Sequence, residues 1–195
     1  MKNKRTLLIL ILVIVLLLGG ATVLYTKLKQ TVASEQLATE KTQAQDESDN
    51  RSEEAQQKTL APDFTVYDAE GGEVHLSDYV GKPIVLNFWA SWCGPCQMEM
   101  PDFHEKYLEL GEDLHFLMIN MTDGSRETVK SASAFIAERK YTFPVYYDTQ
   151  SNAAMTYGAY SLPTTYFIDA EGYVIAQATG AIDAETLQRG IDMIS

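Results

Sequence analysis

An apolar segment in the middle of the chain runs directly into a closely spaced pair of cysteines, and this combination limits the possible folds. Residues 84–89 are apolar nearly throughout, which is typical of a strand buried on both faces of a central sheet. Cys93 and Cys96 come next, and Pro95 stands between them, where its missing N–H costs little if it occupies the first turn of a helix. The sequence therefore predicts a buried strand, a cysteine turn and a helix over 95–110.

The remaining pattern alternates short apolar runs with longer amphipathic ones and ends in a hairpin. Further strands are predicted at 64–67, 74–76, 114–120, 145–148, 165–169 and 173–178, and further helices at 125–140, 152–157 and 183–194. Gly158 is expected to end the third helix, and Asp183 can cap the last one. Strands that alternate with helices in this way predict an α/β sandwich built on one central sheet.

The chain contains 2 cysteines, and their spacing suits reversible redox chemistry. Two intervening residues at a helix start allow the sulfur atoms to close a small disulfide ring while the first sulfur stays accessible. The exposed N–H groups and the dipole of the helix stabilise a thiolate on Cys93, and the thiolate is the form that attacks disulfides. Cys96, one turn into the helix, is then placed to attack the mixed disulfide and release the product.

Two other roles for the cysteine pair are half of a zinc site and an inert structural disulfide. A zinc site needs two further ligands, and His75, His104 and His115 show no ligand-like spacing. A structural disulfide does not explain why the pair stands between a buried strand and a helix start. We therefore expect a redox pair, with no metal and no cofactor.

The N-terminal segment, residues 1–26, is basic at its start and then strongly apolar. The charge-free stretch from Thr6 to Thr26 is long enough for a helix to cross a hydrocarbon core of roughly 30 Å. We expect a transmembrane anchor over residues 7–25 with its N-terminus in the cytoplasm, because basic residues precede it. A cleaved signal peptide is the alternative, and either interpretation exports the rest of the chain.

The rest of the chain divides into a polar tether and a folded domain. Residues 27–60 contain no Gly, Pro or aromatic residue and lack the apolar mass for a core, so we expect them to be partly disordered or helical. Residues 61–195 are the predicted domain. The chain carries 27 acidic and 15 basic residues, a formal net charge of -12, and this domain accounts for all of the excess. Such a surface repels polyanions, so nucleic-acid binding is not expected.

The stretch from Lys82 to Cys96, KPIVLNFWASWCGPC, resembles the active-site strand and turn of the thioredoxin superfamily. Pro101 matches the helix-kinking proline of that family, and residues 162–165, LPTT, resemble its cis-proline loop. The resemblance implies a thioredoxin-like sandwich, with a central mixed sheet flanked by helices and an N-terminal transmembrane helix in front of it. It also implies a cis peptide bond at Leu162–Pro163, with the loop lying against the sulfurs.

Further residues resemble the exported, membrane-anchored TlpA/ResA group of thiol–disulfide oxidoreductases. They are Ala61-Pro62-Asp63-Phe64, Asn87, Glu99 and Phe143-Pro144-Val145. Thioredoxin itself carries a buried Asp at the position of Asn87, and the ResA branch usually carries Glu at the position of Gly94. The Gly94-Pro95 dipeptide instead matches thioredoxin, whose reduction potential is about −270 mV, and therefore indicates a reducing enzyme.

The predicted site has two groups of residues. The catalytic group is Cys93, Cys96, Glu99 and Pro163, and the substrate-contacting group is Trp92, Gly94, Pro95 and Leu162. For Trp92, a packing role is the alternative. For Pro163, the alternative is an ordinary turn proline.

Glu99 is predicted to exchange a proton with Cys96. Residues three apart share a helix face, so Glu99 should lie over Cys96 and not point to bulk solvent. A carboxyl group partly desolvated there would have a raised pKa, which suits proton exchange near neutral pH and replaces the acid that Asn87 does not supply. The alternative is an ordinary exposed glutamate, favourable to the dipole in the first turns of a helix.

The leading functional hypothesis is an enzyme that reduces disulfides in exported proteins and is recharged by a membrane electron donor. A disulfide-forming oxidase or isomerase would use the same residues. Peroxide reduction is a weaker hypothesis, because peroxidatic sites need a different cysteine setting. A tethered binding or chaperone module with an idle disulfide belongs to another class, and its function would survive replacement of both cysteines by Ala.

Overall fold

The structure is a computed structural model that describes residues 59–195 as eight strands and four helices. The strands are β1 (Thr59–Leu60), β2 (Thr65–Tyr67), β3 (Glu73–His75), β4 (Ile84–Trp89), β5 (His115–Asn120), β6 (Val145–Tyr147), β7 (Thr164–Ile168) and β8 (Tyr173–Thr179). The helices are α1 (Gly94–Leu110), α2 (Val129–Arg139), α3 (Asn152–Tyr157) and α4 (Ala184–Asp192). A short 3₁₀ turn covers Leu76–Tyr79.

The strands form one mixed sheet in the order β1-β8-β7-β4-β5-β6-β2-β3. Strands β4, β5 and β6 run parallel, and a helix connects each of these strands to the next. Strand β7 lies antiparallel on the other side of β4, and its hairpin partner β8 pairs with it. β4 is therefore an inner strand, with a parallel neighbour on one side and an antiparallel neighbour on the other.

The side chains of β4 alternate between two cores, one on each face of the sheet. Ile84, Leu86 and Phe88 belong to an apolar cluster that includes residues of α3. Val85 and Trp89 belong to the other cluster, which includes residues of α1, α2 and α4. Because helices cover both faces, every residue of β4 is buried, as the unbroken apolar run predicts.

Helix α1 starts just beyond β4 and carries the second cysteine. Cys93 is its N-cap residue, and Pro95 lies in its first turn. Pro101 lies inside the helix, where it cannot donate a backbone hydrogen bond to the preceding turn. The buried residues of α1 are Cys96, Glu99, Met100 and Phe103. The helix therefore presents Cys96 and Glu99 to the interior of the domain.

Most predicted elements are confirmed, and the local signals that predicted them are visible in the structure. The ranges of β4 and α3 match the predicted ones. Gly158 ends α3 in the left-handed conformation, with φ of 60°, and Asp183 caps α4 by accepting a hydrogen bond from the Thr186 amide at 3.0 Å. The end of α3 and the start of α4 were thus predictable from their capping residues.

The predicted start of the second helix was wrong. It was expected over 125–140, but α2 begins at Val129, where Thr128 caps it by accepting a hydrogen bond from the Ser131 amide at 3.0 Å. The residues before it form a loop, because the Asp123 side chain accepts hydrogen bonds from two amides within that loop at 2.8 and 2.9 Å.

Two smaller boundaries also differ from prediction. Strand β1 occupies the last two residues of the predicted tether, 27–60, because they pair antiparallel with β8. The folded domain therefore begins before residue 61. Leu76 was expected to end a strand over 74–76, but it is buried and opens the 3₁₀ turn instead.

The predicted anchor over residues 7–25 and most of the predicted tether lie outside the described residues. Within residues 59–195, no helix combines the length and the apolar character needed to cross a membrane. The anchor and the tether remain predictions from the sequence.

Candidate active site

The cysteine turn lies at the carboxyl end of β4, where α1 begins. Cys93 and Cys96 are joined by a disulfide with a Cα–Cα distance of 5.3 Å. The Cys93 sulfur also accepts a hydrogen bond from the Cys96 amide at 3.2 Å. An amide of the first helical turn that points at a sulfur atom stabilises its thiolate when the pair is reduced. The structure thus gives the two predicted residues the pairing that redox chemistry requires.

The two cysteines have different surroundings. Cys93 is 4% exposed and lines an open groove with a volume of about 540 Å³. Cys96 is 0% exposed. The sequence predicts an accessible first cysteine, and in the structure that access is confined to the groove. A disulfide that enters the groove would therefore meet Cys93 before Cys96.

The groove brings together residues from three separate parts of the chain. Its lining comprises Trp92, Cys93, Gly94, Pro95, Met121, Asp123, Arg126, Ala159, Tyr160 and Leu162. All four residues predicted to contact substrate are among them. The others follow β5 or come shortly before β7, and nothing in their sequence pattern singled them out.

Trp92 is a surface residue held in place by a cation. It is 40% exposed, and the guanidinium carbon of Arg126 lies 3.4 Å from the centroid of its ring. This geometry is a cation–π contact. Tyr160, which is 84% exposed, lines the same groove. The exposure of Trp92 favours a role in contacts with other molecules over a role in core packing.

The Leu162–Pro163 peptide bond is cis, as predicted. Leu162 lines the groove together with Cys93. Thr164 follows as the first residue of β7 and pairs with Phe88 near the end of β4. The proline loop and the cysteine turn therefore lie at the same end of the sheet, and the loop contributes Leu162 to the groove.

Glu99 is buried one turn after Cys96 on the same helix. It is 2% exposed, and its carboxyl group accepts hydrogen bonds from Asn87 Nδ2 at 2.8 Å and from the Ile182 amide at 3.0 Å. Burial raises the pKa of Glu99 from its ordinary value of 4.5 to about 7, although both hydrogen bonds act to lower it. Glu99 is buried as predicted, so the alternative of an exposed glutamate is wrong, and its exchange of a proton with Cys96 stays a prediction.

Asn87 links Glu99 to the sheet. Its amide nitrogen also donates to Thr165 Oγ1 at 3.0 Å, and Thr165 lies opposite it on β7. The position where thioredoxin has an acid therefore holds a donor that orients Glu99. A second carboxyl group this close would repel a charged Glu99. The contact with Ile182 comes from the turn before α4 and had no signal in the sequence.

A second buried glutamate lies beside the cysteine turn. Glu127 is 0% exposed and lies in the loop between β5 and α2. It accepts a hydrogen bond from the amide of Ser91 at 2.8 Å, and the Ser91 hydroxyl lies 2.8 and 3.0 Å from its two carboxyl oxygens. The sequence pattern placed Glu127 in a helix, where one glutamate among polar residues gives no sign of such a contact.

The sequence of the chain matches the AhpC/TSA family over residues 58–177. Thiol-disulfide oxidoreductase ResA of Geobacillus thermodenitrificans is 36% identical over 137 residues, which cover 70% of this chain and 76% of that protein. Thioredoxin-like protein YneN of Bacillus subtilis is 33% identical over 138 residues, which cover 71% of this chain and 80% of that protein. The region that matches the family includes both cysteines and the proline loop.

The fold is also similar to the folds of several solved structures. StoA from Bacillus subtilis gives a TM-score of 0.58 at 25% identity and covers 68% of this chain and 98% of its own. A DsbF homologue from Corynebacterium diphtheriae gives a TM-score of 0.62 at 28% identity and covers 72% of this chain and 89% of its own. The similarity thus extends over nearly the whole of each solved chain.

Proposed function

The chain belongs to the AhpC/TSA family and is a thioredoxin-like thiol–disulfide oxidoreductase, and on this premise we propose that it reduces disulfides in exported proteins. The family, the fold and the class of enzyme agree with the resemblance found in the sequence. The proposal adds the direction of the reaction, the kind of substrate and the location of the domain outside the cytoplasm.

The observation that carries the proposal is the unequal environment of the two cysteines. Cys93 lines an open groove, whereas Cys96 is fully buried with the buried carboxyl group of Glu99 one turn farther along α1. This arrangement supports Cys93 as the attacking thiol and Cys96 as the resolving thiol. An idle structural disulfide would need neither the groove nor a group that titrates near neutral pH.

The first step is attack by Cys93. In the reduced enzyme its thiolate attacks one sulfur of a substrate disulfide in the groove, and the substrate S–S bond breaks as the Cys93–substrate bond forms. The second substrate sulfur leaves as a thiolate and takes a proton from solvent. The Cys96 amide and the dipole of α1 stabilise the Cys93 thiolate before attack.

The second step is resolution by Cys96. Its thiol passes a proton to the Glu99 carboxylate, and the resulting thiolate attacks the Cys93 sulfur. The Cys93–Cys96 disulfide forms, the mixed disulfide breaks, and the substrate leaves as its second thiolate, which is then protonated. Two electrons have passed from the dithiol to the substrate. A pKa of about 7 allows Glu99 to take up and release this proton near neutral pH.

The walls of the groove suit a polypeptide substrate. Trp92, Tyr160 and Leu162 surround Cys93 with apolar and aromatic surface. We propose that they contact the residues that flank the substrate disulfide, together with Gly94 and Pro95. The backbone at Pro163 would then pair with the substrate strand.

The direction of the reaction is proposed from the residues between the cysteines. Gly94 and Pro95 are the dipeptide of thioredoxin, which is reducing at about −270 mV. A membrane electron donor would return the disulfide to the dithiol after each cycle. A disulfide-forming oxidase would use the same two cysteines in the opposite direction, so the reduction potential separates the two functions.

Trapping of mixed disulfides tests the proposed order of attack. Cys96→Ala removes the resolving thiol while Cys93 still attacks, so the variant should accumulate covalent partners in non-reducing extracts. These partners should disappear when a reductant is added. Cys93→Ala is the matched control and should trap none. If Cys93→Ala traps the same partners and Cys96→Ala does not, the order is reversed.

The location is proposed from the apolar run over residues 7–25. The full chain should be found in the membrane fraction, and protease added to intact protoplasts should remove the domain that carries the cysteines. Recovery of a mature, soluble exported protein that begins near Thr22 would show cleavage of a signal peptide. Protection of the domain in intact protoplasts would contradict an extracytoplasmic location.

A further inference from the structure

We propose that Glu127 is a positioning residue that holds Cys93 in its reactive place through Ser91. This inference rests on the proposed function of the cysteine pair, and it assigns a role to a residue far from that pair in the sequence. Glu127 belongs to the loop between β5 and α2, whereas Ser91 belongs to the turn that leads from β4 to the cysteines.

Glu127 and Ser91 approach each other closely at three pairs of polar atoms. The Ser91 amide donates to Glu127 Oε2 at 2.8 Å, and the Ser91 hydroxyl lies 2.8 Å from Oε2 and 3.0 Å from Oε1. The Ser131 hydroxyl donates to Oε1 at 2.9 Å from the first turn of α2. One carboxyl group thus joins the cysteine turn to the start of the next helix.

Ser91 is also held from the side of α1. Its carbonyl oxygen accepts a hydrogen bond from Gln97 Nε2 at 2.6 Å. Within the same turn, the Cys93 amide donates to the Ala90 carbonyl oxygen at 3.1 Å. The amide, hydroxyl and carbonyl groups of Ser91 are therefore all bonded, which fixes the chain two residues before the attacking sulfur.

The loop that carries Glu127 has its own internal bonds. Asp123 accepts hydrogen bonds from the amides of Ser125 and Glu127, and the Gly124 amide donates to the Glu127 carbonyl oxygen at 2.9 Å. Thr128 caps α2 by accepting a hydrogen bond from the Ser131 amide, and the Ser131 hydroxyl also donates to the Glu127 carboxyl group. The loop and the helix start thus have backbone bonds of their own, and the side chain of Glu127 links them to the cysteine turn.

Burial of this carboxyl group has a cost that the fold must offset. A fully buried carboxyl group is stable only where donors surround it, and removal of its partners leaves an expensive buried group. The donors from Ser91 and Ser131 offset this cost, and the bonds to Ser91 also fix the turn at the end of α1 that carries Cys93. A fixed turn keeps the Cys93 sulfur 3.2 Å from the Cys96 amide, the donor that stabilises the attacking thiolate.

The neighbouring residue Arg126 extends the same support to the surface. Its guanidinium group covers one face of Trp92, which lies between Ser91 and Cys93. The residue pair 126–127 therefore holds two consecutive residues of the turn, with one contact inside the domain and one at the groove.

The test is the rate at which iodoacetamide alkylates Cys93 in the reduced full chain, because it does not depend on any substrate or on the direction of catalysis. Glu127→Ala should slow alkylation about tenfold, because a turn that is no longer fixed moves the Cys93 sulfur away from the Cys96 amide and leaves less of it as the reactive thiolate. Glu127→Gln, which keeps an acceptor for the Ser91 amide, should restore most of the rate. If the wild-type chain is alkylated at Cys93 but reduces no protein disulfide, the proposed function fails, whereas an alkylation rate of Glu127→Ala equal to that of the wild type would overturn this inference.

Two further variants separate positioning from stability. Asp169→Ala is the matched control, because Asp169 is also buried and accepts an amide hydrogen bond, from Tyr173 at 2.8 Å, but in the hairpin turn at the opposite end of β4 from Cys93. It should lower the unfolding midpoint and leave the alkylation rate unchanged. An equal loss of rate in Asp169→Ala would overturn the proposal.

Ser91→Ala completes a double-mutant cycle. It should slow alkylation at least about threefold, and the double variant with Glu127→Ala should be no slower than Glu127→Ala alone, because both act through one contact. If alkylation of the double variant is slowed by the product of the two single effects, the two residues do not act through one contact, which would contradict the proposal. If Glu127→Ala does not fold, an unchanged rate in Ser91→Ala overturns the proposal and a reduced rate supports it.

Discussion

Glu99 is a buried residue whose carboxyl group costs stability and for which we propose a role in proton exchange with Cys96. Its carboxyl group is buried on the inner face of α1, and burial raises its pKa to about 7. Asn87 and the Ile182 amide hold both carboxyl oxygens. A carboxyl group with a pKa of about 7 can take up and release a proton at neutral pH, which should affect both the turnover and the stability of the protein.

The first consequence concerns turnover. Glu99→Gln keeps the shape of the side chain but cannot accept the Cys96 proton, so disulfide reduction should slow about tenfold or more. The variant should fold and form a reducible disulfide, and its pH–rate profile should lose the inflection near pH 7. Glu105→Gln, an exposed change on the same helix, is the control. Unchanged turnover of Glu99→Gln between pH 6 and pH 9 would leave Glu99 with a structural role only.

The second consequence concerns stability. Because the pKa of Glu99 is higher in the folded protein than its ordinary value of 4.5, the folded state binds this proton more tightly than the unfolded state does. The stability that the protonated Glu99 side chain contributes to the folded state is therefore lost as pH rises from about 4.5 through about 7. Between pH 5 and pH 8 the oxidised wild type should lose roughly 2–3 kcal/mol relative to Glu99→Gln, measured by urea unfolding. Parallel pH dependence in the two proteins would contradict the raised pKa.

The last helix packs against the sheet through a glycine. Gly190 of α4 is buried, and a Cβ atom added there would overlap the ring of Phe167 on β7. Phe167 is itself fully buried, so its ring cannot move into solvent. The absence of a side chain at Gly190 sets how closely α4 approaches β7, and α4 in turn follows the Ile182 amide that binds Glu99.

Gly190→Ala should therefore destabilise the protein by about 1–3 kcal/mol through overpacking. Urea unfolding of the oxidised protein measures this loss. Gly94→Ala is the matched control for stability, because an added Cβ there meets no atom within 4 Å. Equal stability of the two variants would mean that α4 can shift away from β7 without cost.

The elements that were predicted correctly are those whose signals are local. The apolar run of β4, Gly158 after α3 and Asp183 before α4 all act within a few residues. The start of α2 was missed because the polar residues at 125–127 suit either a helix or a loop. Residues 125–127 form a loop in the structure, and Glu127 of this loop contacts Ser91, which lies 36 residues away in the sequence.

The residues of the candidate active site also divide into those with a local signal in the sequence and those without one. The cysteines, Glu99 and the proline loop were predicted because they stand in short, recognisable motifs. Met121 and Arg126 follow β5, and Tyr160 precedes β7. They line the groove only because β5 and β7 both pair with β4, and no local sequence pattern marks them. A sequence thus predicts the reacting atoms of such a site better than the surface that selects its substrate.

We propose that the Cys93–Cys96 pair reduces disulfides, and the reduction potential of the pair tests this proposal. The full-length protein in detergent is equilibrated with thiol–disulfide buffers of known potential, and the dithiol fraction is measured by alkylation. We expect a value near that of thioredoxin, about −270 mV. A value near that of DsbA, about −120 mV, would contradict the claim and identify the protein as a disulfide-forming oxidase.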